Sequence, residues 1–214
     1  MKIDGAIFDV DGVLLDTMPV WHDSAVRYLE HKGIEAEEGL GDKLFATTVT
    51  IGAEYLKKTY GLPESEDEIR QGINDDMGAF YREEAEPKPG VLSLLNRMKA
   101  AGVRMSVATS TERECIMGAF DRLGMTDYFD AILTCDEIGA TKDQPEIFMA
   151  AIDAMGTEIQ NTWVFEDGLY SIKTASAEGF RIAGVYDSVS ESDQDDIKKL
   201  SDVYLKDMGE FPLV

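Results

Sequence analysis

From residue 91 to residue 185 the chain alternates helical segments with short apolar segments, and this alternation restricts the possible folds more than any other feature. Short apolar segments bounded by polar residues and glycine are typical of buried strands. Strands that alternate with helices form a parallel sheet covered by helices on both faces. Including one strand near the N-terminus, strands are predicted at 3–8, 103–108, 131–133, 162–165 and 181–185. We therefore predict an α/β fold with a parallel sheet flanked by helices.

The segment after the first strand lacks this alternation and contains only helical patterns. It ends at the sequence Pro87-Lys88-Pro89-Gly90, through which a helix cannot continue. We predict that residues 16–87 form an inserted α-helical domain, called the cap, on a core made of residues 1–15 and 88–214. Within the cap, helices are predicted at 17–33, 42–60 and 66–84. The polar segment 188–196 is expected to be mobile.

The first predicted strand stops at two carboxylates, Asp9 and Asp11, which Gly12 follows. In parallel sheets, ligands bind at the carboxyl ends of the strands, so these acids are candidates for chemistry. An EF-hand calcium loop is excluded, because its sixth and twelfth positions would be Leu14 and Val20 instead of Gly and Glu. A turn capped by two acids without any chemistry stays an alternative when this motif is considered alone.

Composition limits the possible partners. A formal net charge of -22 argues against binding to nucleic acid or to an anionic membrane, since both are bound through Lys and Arg. No apolar run approaches the length of a membrane span, and no signal peptide is expected. Cys115 and Cys135 show no metal-type spacing, which favours a reducing, cytoplasmic location. A monomer or weak homo-oligomer is expected, because the predicted core needs no partner to be complete.

Polar residues follow the other predicted strands as well. Thr109 and Ser110 follow the second strand, and Glu166 and Asp167 follow the strand 162–165. Lys142 lies in the loop after the third strand. In a parallel sheet these groups would meet Asp9 and Asp11 along one edge. Carboxylates, a hydroxyl group and a lysine are the groups that metal-assisted phosphoryl transfer requires.

The chain resembles the haloacid dehalogenase superfamily, in the branch of β-phosphoglucomutases and phosphoglycolate phosphatases with a helical cap. The resemblance covers essentially the whole chain and rests on four motifs in order. They are Asp9-Val10-Asp11-Gly12-Val13-Leu14, Val107-Ala108-Thr109-Ser110, Lys142-Asp143-Gln144-Pro145-Glu146-Ile147-Phe148 and Phe165-Glu166-Asp167. The resemblance implies a Rossmann-like core, the inserted cap and an enzyme that acts on phosphate esters.

The resemblance also implies roles for individual residues. Asp9 would be the nucleophile that forms an aspartyl-phosphate. Asp11 would protonate the leaving oxygen and then deprotonate the attacking water. Mg²⁺ would be held by Asp9, Asp167 and the backbone carbonyl of Asp11, all hard oxygen ligands. Lys142 would balance charge beside the nucleophile.

Thr109 would bind the phosphoryl oxygens together with Lys142 and the backbone N–H groups of Ser110 and Thr111. A strand-end hydroxyl that only satisfies the backbone is the alternative for Thr109. Glu166 is expected to orient its neighbours more than to bind the metal directly.

Three positions depart from the family pattern. Asp143 stands where a proline commonly follows the motif lysine, Gly168 stands where a serine is usual, and Ser171 stands where a glycine is expected. These changes affect loop geometry and supporting hydrogen bonds, and they leave the reacting groups in place.

We predict a Mg²⁺-dependent phosphatase that hydrolyses a small phosphate ester resembling a sugar phosphate through an aspartyl-phosphate. The alternative is a β-phosphoglucomutase-like phosphomutase, which must hold a second phosphate with cationic cap residues. Residues 17–86 contain sixteen acids against seven Lys and Arg, and this excess favours the phosphatase. A non-catalytic phosphate-binding or regulatory protein is disfavoured by the intact Asp9, Asp11, Lys142 and Asp167.

Overall fold

The computed structural model of the protein describes residues 3–45 and 47–213. The strands in these ranges are β1 Gly5–Phe8, β2 Arg104–Thr109, β3 Ala131–Thr134, β4 Thr162–Glu166, β5 Arg181–Val185 and β6 Val203–Leu205. They form a six-stranded sheet with the order β3-β2-β1-β4-β5-β6, and every pairing is parallel. The predicted α/β fold with a parallel sheet is confirmed.

Strand β1 lies at the centre of the sheet, and all four of its residues are buried. Phe8 pairs with Val107 of β2 on one side and with Phe165 of β4 on the other. The strand order reverses at β1, because the chain continues to β2 and β3 on one side before it crosses to β4. In open α/β sheets, ligands bind at the carboxyl ends of strands where the order reverses. Asp9 follows Phe8 directly at this position.

The described part of the cap contains five helices, which are α1 Met18–His22, α2 Ser24–His31, α3 Leu40–Phe45, α4 Val49–Tyr60 and α5 Glu66–Glu83. Their apolar side chains form a hydrophobic cluster of their own, with Leu29, Leu56 and Ile69 fully buried. Ser65 begins α5 with a capping box, because it exchanges hydrogen bonds with Glu68. The cap therefore has a separate core, and its exact boundaries stay a prediction.

Two of the helices predicted in the cap are divided in the structure. The predicted helix 17–33 breaks at Asp23, whose backbone is not helical and whose carboxylate oxygen lies 2.7 Å from His22 Nδ1. The predicted helix 42–60 breaks before Thr48, whose hydroxyl accepts a hydrogen bond from the Ile51 N–H and begins α4. The apolar positions of the sequence do not reveal such breaks, because the helical pattern of apolar residues continues on both sides of each break.

The remaining helices cover the two faces of the sheet. They are α6 Val91–Ala100, α7 Arg113–Leu123, α8 Cys135–Ile138, α9 Glu146–Met155, α10 Leu169–Ala177 and α11 Gln194–Leu200. Phe8 of β1 contributes to the cluster that contains side chains of α6 and α7, whereas Ile7 contributes to the cluster that contains side chains of α9 and α10. Across the described ranges, every helix is too short or too polar to cross a bilayer.

The segment after β5 contains helical structure with buried polar contacts, and its expected mobility stays a prediction. A short 3-10 segment, Ser188–Asp193, leads directly into α11. The buried side chain of Gln194 donates to the backbone carbonyls of Asp187 and Ser190 at 3.2 Å, and it accepts from the Tyr204 hydroxyl at 2.6 Å. Neither α11 nor β6 was predicted, because both are short and follow a highly polar sequence.

Candidate active site

Four predicted site residues meet at the carboxyl ends of β1 and β4. Lys142 reaches this cluster from the loop after α8, and its Nζ lies 2.5 Å from Asp9 Oδ1 and 3.0 Å from Glu166 Oε2. Lys142, Glu166 and Asp167 are buried, while the Asp9 side chain keeps 11% exposure. The fold therefore places Asp9 at the surface of a buried charged cluster.

Burial and mutual repulsion shift the ionisation of this cluster. Burial and the Glu166 carboxylate raise the pKa of Asp9 to about 8, although Lys142 opposes the shift. Burial, Glu166 and Asp9 also raise the pKa of Asp167 well above its usual range. Burial alone would lower the pKa of Lys142, but Asp9 and Glu166 raise it, so the ammonium group stays charged. Several carboxylates around one ammonium group leave an excess of negative charge that a divalent cation would neutralise.

The residues of the cluster fit a divalent cation. Carboxylate oxygens of Asp9, Glu166 and Asp167 all lie within 4.8 Å of one another. Four donors already occupy the Glu166 carboxylate: Oε1 accepts from the N–H groups of Asp167 and Gly168, and Oε2 accepts from Lys142 and Ser171. Asp9 and Asp167 are therefore better placed than Glu166 to bind a hard cation through oxygen. The orienting role expected for Glu166 stays a prediction.

Ser171, one of the departures from the family pattern, supports the cluster directly. Its hydroxyl is fully buried and donates to Glu166 Oε2 at 2.7 Å. The Glu166 carboxylate in turn holds Lys142 beside Asp9. Gly168, another departure, leaves space near Glu166, because a Cβ atom there would lie 3.2 Å from Glu166 Oε1.

Replacing Ser171 with glycine is expected to lower kcat and to reduce the free energy of unfolding. A hydrogen bond to a charged group contributes about 1.5–3 kcal/mol, and its loss would loosen Glu166 and Lys142. Adding Gly168→Ser to Ser171→Gly places a hydroxyl on the other side of the same carboxylate and should restore part of the activity. Steady-state kinetics and urea unfolding provide the measurements. Ser176→Gly on the same helix is the control, and equal effects of Ser171→Gly and Ser176→Gly would contradict this role.

Asp11 is held by three hydroxyl groups from three separate segments. The Thr17 and Thr111 hydroxyls donate to its two carboxylate oxygens, each at 2.5 Å. The Tyr81 hydroxyl, at the C-terminal end of α5, donates to the same oxygen as Thr17, and it accepts from Trp21 Nε1 at 2.8 Å. Burial and the nearby Asp11 raise the pKa of Tyr81 well above its usual value, so its phenol stays a donor. The cap and the predicted acid–base residue are therefore directly connected.

Sequence reasoning missed this connection. Thr17 precedes α1, and its hydroxyl contacts Asp11 without making a capping hydrogen bond to that helix. Seventy positions separate Tyr81 from Asp11, and no local pattern links them. The indole N–H of Trp21 donates to the Tyr81 hydroxyl, and no local pattern links these two residues either.

Two of the predicted phosphate-binding residues, Thr109 and Ser110, lie at the end of β2 and in the loop that follows it. The Thr109 side chain is fully buried, and its hydroxyl accepts a hydrogen bond from the Thr111 N–H at 3.1 Å. That hydroxyl keeps its own proton available for donation. Ser110 and Thr111 line the cavity above Asp9, so the loop presents them to a ligand. The assignment of Thr109, Ser110 and Lys142 to phosphate binding stays a prediction.

A cavity of about 880 Å³ lies between the cap and the carboxyl edge of the sheet. Asp9, Asp11, Lys142 and Asp167 line its floor, and cap side chains such as Trp21 line the opposite wall. Ser190, in the 3-10 segment after β5, contributes to the cavity as well. The volume is large enough for a small organic molecule in contact with both parts of the chain.

A family model for haloacid dehalogenase-like hydrolases matches residues 6–185, which is most of the chain. The chain belongs to the haloacid dehalogenase-like hydrolase family. The resemblance inferred from the four motifs is thereby confirmed. Asp9, Asp11, Lys142 and Asp167 all lie within the matched range of this hydrolase.

Several relatives of this hydrolase are named as phosphatases. The chain is 26% identical over 190 residues to the phosphorylated carbohydrates phosphatase of Thermotoga maritima, with 88% of each chain covered. It is 28% identical over 184 residues to the fructose-1-phosphate phosphatase of Escherichia coli, with 82% of this chain and 92% of the relative covered. These relatives confirm the predicted enzyme class, a phosphatase of the haloacid dehalogenase type.

A solved structure shares the fold of this chain. A crystal structure from Thermotoga maritima, provisionally named β-phosphoglucomutase, aligns with a TM-score of 0.85 and 25% identity. The alignment covers 97% of this chain and 96% of that chain, so both the sheet and the cap have counterparts in the relative.

Proposed function

We propose that the protein is a Mg²⁺-dependent phosphatase that hydrolyses a small phosphate ester resembling a sugar phosphate. The observation that carries this proposal is the Asp9 carboxylate, held 2.5 Å from Lys142 Nζ at the floor of a cavity that a small molecule can enter. The named substrates of two relatives, phosphorylated carbohydrates and fructose 1-phosphate, support a sugar phosphate as the substrate class.

In the first step, a carboxylate oxygen of Asp9 attacks phosphorus and forms an aspartyl-phosphate. Asp11 gives a proton to the leaving oxygen, and Lys142 offsets the negative charge that accumulates beside Asp9. Asp9, Asp167 and the backbone carbonyl of Asp11 would hold Mg²⁺, which when bound supplies positive charge against the repulsion between nucleophile and phosphate. Hydrogen bonds from the loop after β2 would hold the phosphoryl oxygens.

In the second step, Asp11 takes a proton from water, and that water attacks the phosphorus of the aspartyl-phosphate. Asp9 leaves as a carboxylate, and inorganic phosphate is released. Asp11 donates a proton in the first step and accepts one in the second. At least one of its carboxylate oxygens must therefore lose its hydroxyl donors during turnover. Because Thr17 and Tyr81 belong to the cap, a movement of the cap would release Asp11 for proton transfer.

Replacing Asp11 with asparagine is expected to lower kcat by roughly 10²–10⁴-fold, the usual contribution of general acid–base catalysis. The loss in kcat/KM, which reports transfer of the phosphoryl group to Asp9, should be larger for a sugar phosphate than for p-nitrophenyl phosphate, because nitrophenolate leaves without a proton. Phosphate release from both esters provides the measurement, with thermal unfolding as the check on folding. Equal losses for the two esters would contradict proton donation by Asp11.

The function itself is tested by phosphate release from a panel of sugar phosphates, phosphoglycolate, nucleotides and an aryl phosphate, with Mg²⁺ or with EDTA. Metal-dependent release supports the phosphatase. Exchange of the phosphoryl group between glucose 1- and 6-phosphates without release would support the phosphomutase. Absence of both reactions would support the non-catalytic alternative.

A further inference from the structure

The cap is acidic overall, but the wall that it presents to the cavity is not. Among the described residues between positions 16 and 87, no carboxylate lines the cavity, and the one Lys or Arg that does is Arg70. Three other cap cations are held by carboxylates instead, with Arg27 paired to Glu84, Lys32 to Glu64 and Lys43 to Glu37. The charge of the whole cap therefore does not describe the surface that a substrate would meet.

One face of α5 extends from the reaction centre to the far end of the cavity. Tyr81, Met77, Asn74 and Arg70 follow one another at spacings of four, three and four residues, so they share one helix face. Tyr81 contacts Asp11, while Met77, Asn74 and Arg70 line the cavity. Eleven residues place Arg70 about 16 Å from Tyr81 along the helix axis.

The Arg70 guanidinium is free to bind a ligand. Its one ion pair in the described part of the chain joins Nη2 to Asp67 Oδ1 at 3.3 Å, and the Asp67 side chain is 91% exposed. Such surface pairs contribute little, and a guanidinium has five N–H donors. Its planar fork matches a carboxylate or a phosphate.

We propose that Arg70, assisted by the Asn74 amide, recognises a second anionic group at the end of the substrate remote from the transferred phosphoryl group. This inference rests on the proposed phosphatase function. Because about three turns of α5 separate Arg70 from Tyr81, the distal anion would lie well away from the leaving oxygen, at the other end of the cavity. An extended six-carbon ester with a carboxylate or second phosphate on its far carbon suits this separation, and phosphoglycolate is too short.

The test compares two matched pairs of esters in the presence of Mg²⁺. One pair is 6-phosphogluconate and glucose 6-phosphate, and the other is fructose 1,6-bisphosphate and fructose 1-phosphate. The unmodified protein should have a higher kcat/KM for the acidic member of at least one pair, and that pair identifies the anion as carboxylate or phosphate. Arg70→Gln should lower kcat/KM for that acidic ester roughly ten- to hundredfold, mainly through KM. The kcat/KM values for the ester without a second anionic group (the neutral ester) and for phosphoglycolate should stay nearly unchanged.

Arg70→Lys should restore part of the preference, and Lys58→Ala is the control for removal of a cap cation outside the cavity. Equal losses for acidic and neutral esters with Arg70→Gln would show a merely structural role and overturn the proposal. Equal kcat/KM values for the two esters of each pair in the unmodified protein would also overturn the proposal. Failure of the phosphatase function is distinct, because the unmodified protein would then release phosphate from no ester at all.

Discussion

Replacing Asp9 with asparagine is expected to abolish metal-dependent phosphate release while the protein stays folded. The amide has nearly the same shape as the carboxylate, but it is not a nucleophile and cannot form the acyl-phosphate. Its oxygen can still accept a hydrogen bond from Lys142, so the cluster should keep its packing. Phosphate release in Mg²⁺ provides the measurement. Activity within tenfold of the unmodified protein would exclude Asp9 as the nucleophile.

The same substitution should raise stability in EDTA at alkaline pH. Burial and Glu166 raise the pKa of Asp9 from 3.8 to about 8, so the folded protein binds the Asp9 proton more tightly than the unfolded chain. This contribution to stability is complete below the unfolded pKa and is lost as the pH rises through the folded pKa. Asp9→Asn removes the cost of burying an ionised carboxylate at position 9. The melting temperature of the variant should therefore exceed that of the unmodified protein most clearly above pH 8. Equal melting temperatures of Asp9→Asn and the unmodified protein in EDTA at pH 9 would contradict the pKa shift of Asp9.

Replacing Lys142 with methionine should also abolish activity, but with a loss of stability. Lys142 is buried between Asp9 and Glu166, and removal of one partner from a buried ion pair costs about 3–5 kcal/mol. The loss should be larger at pH 9 than at pH 6, because protonation of Asp9 at the lower pH relieves the repulsion between the remaining carboxylates. Urea unfolding at the two pH values and phosphate release provide the measurements.

The double variant Asp9→Asn with Lys142→Met separates charge from packing. It should be more stable than Lys142→Met alone, because one of the unpaired carboxylates has been neutralised. Additive changes in the free energy of unfolding would show that the two side chains do not interact. Retention of activity by Lys142→Met would exclude its role in balancing charge at the nucleophile.

The parallel sheet and its polar edge were predictable because both depend on local patterns. Short apolar segments indicated the first five strands, and the parallel arrangement implied that Asp9, Lys142 and Asp167 would lie together. The contacts of Asp11 with Tyr81 and of Ser171 with Glu166 were not predictable, because they depend on how helices pack in three dimensions. The three-residue strand β6 was missed because it is too short to show a pattern.

The charge of the cap illustrates a different limit. Its excess of acids was taken to disfavour binding of a second phosphate, but none of those acids in the described part of the cap lines the cavity, whereas Arg70 does. Sequence composition gives the number of charged residues but not which of them line the cavity. The preference for a phosphatase over a mutase therefore depends on the named relatives and not on the charge of the cap.

The most direct test of the proposed mechanism is detection of phosphate bound to Asp9. The protein would be mixed with Mg²⁺ and a radiolabelled ester that it hydrolyses, quenched in acid, and digested for peptide mapping. We predict acid-stable label on the peptide that contains Asp9, release of this label by hydroxylamine, and no label in Asp9→Asn. Label on a different residue, or hydrolysis in a single turnover without labelled protein, would contradict nucleophilic catalysis by Asp9.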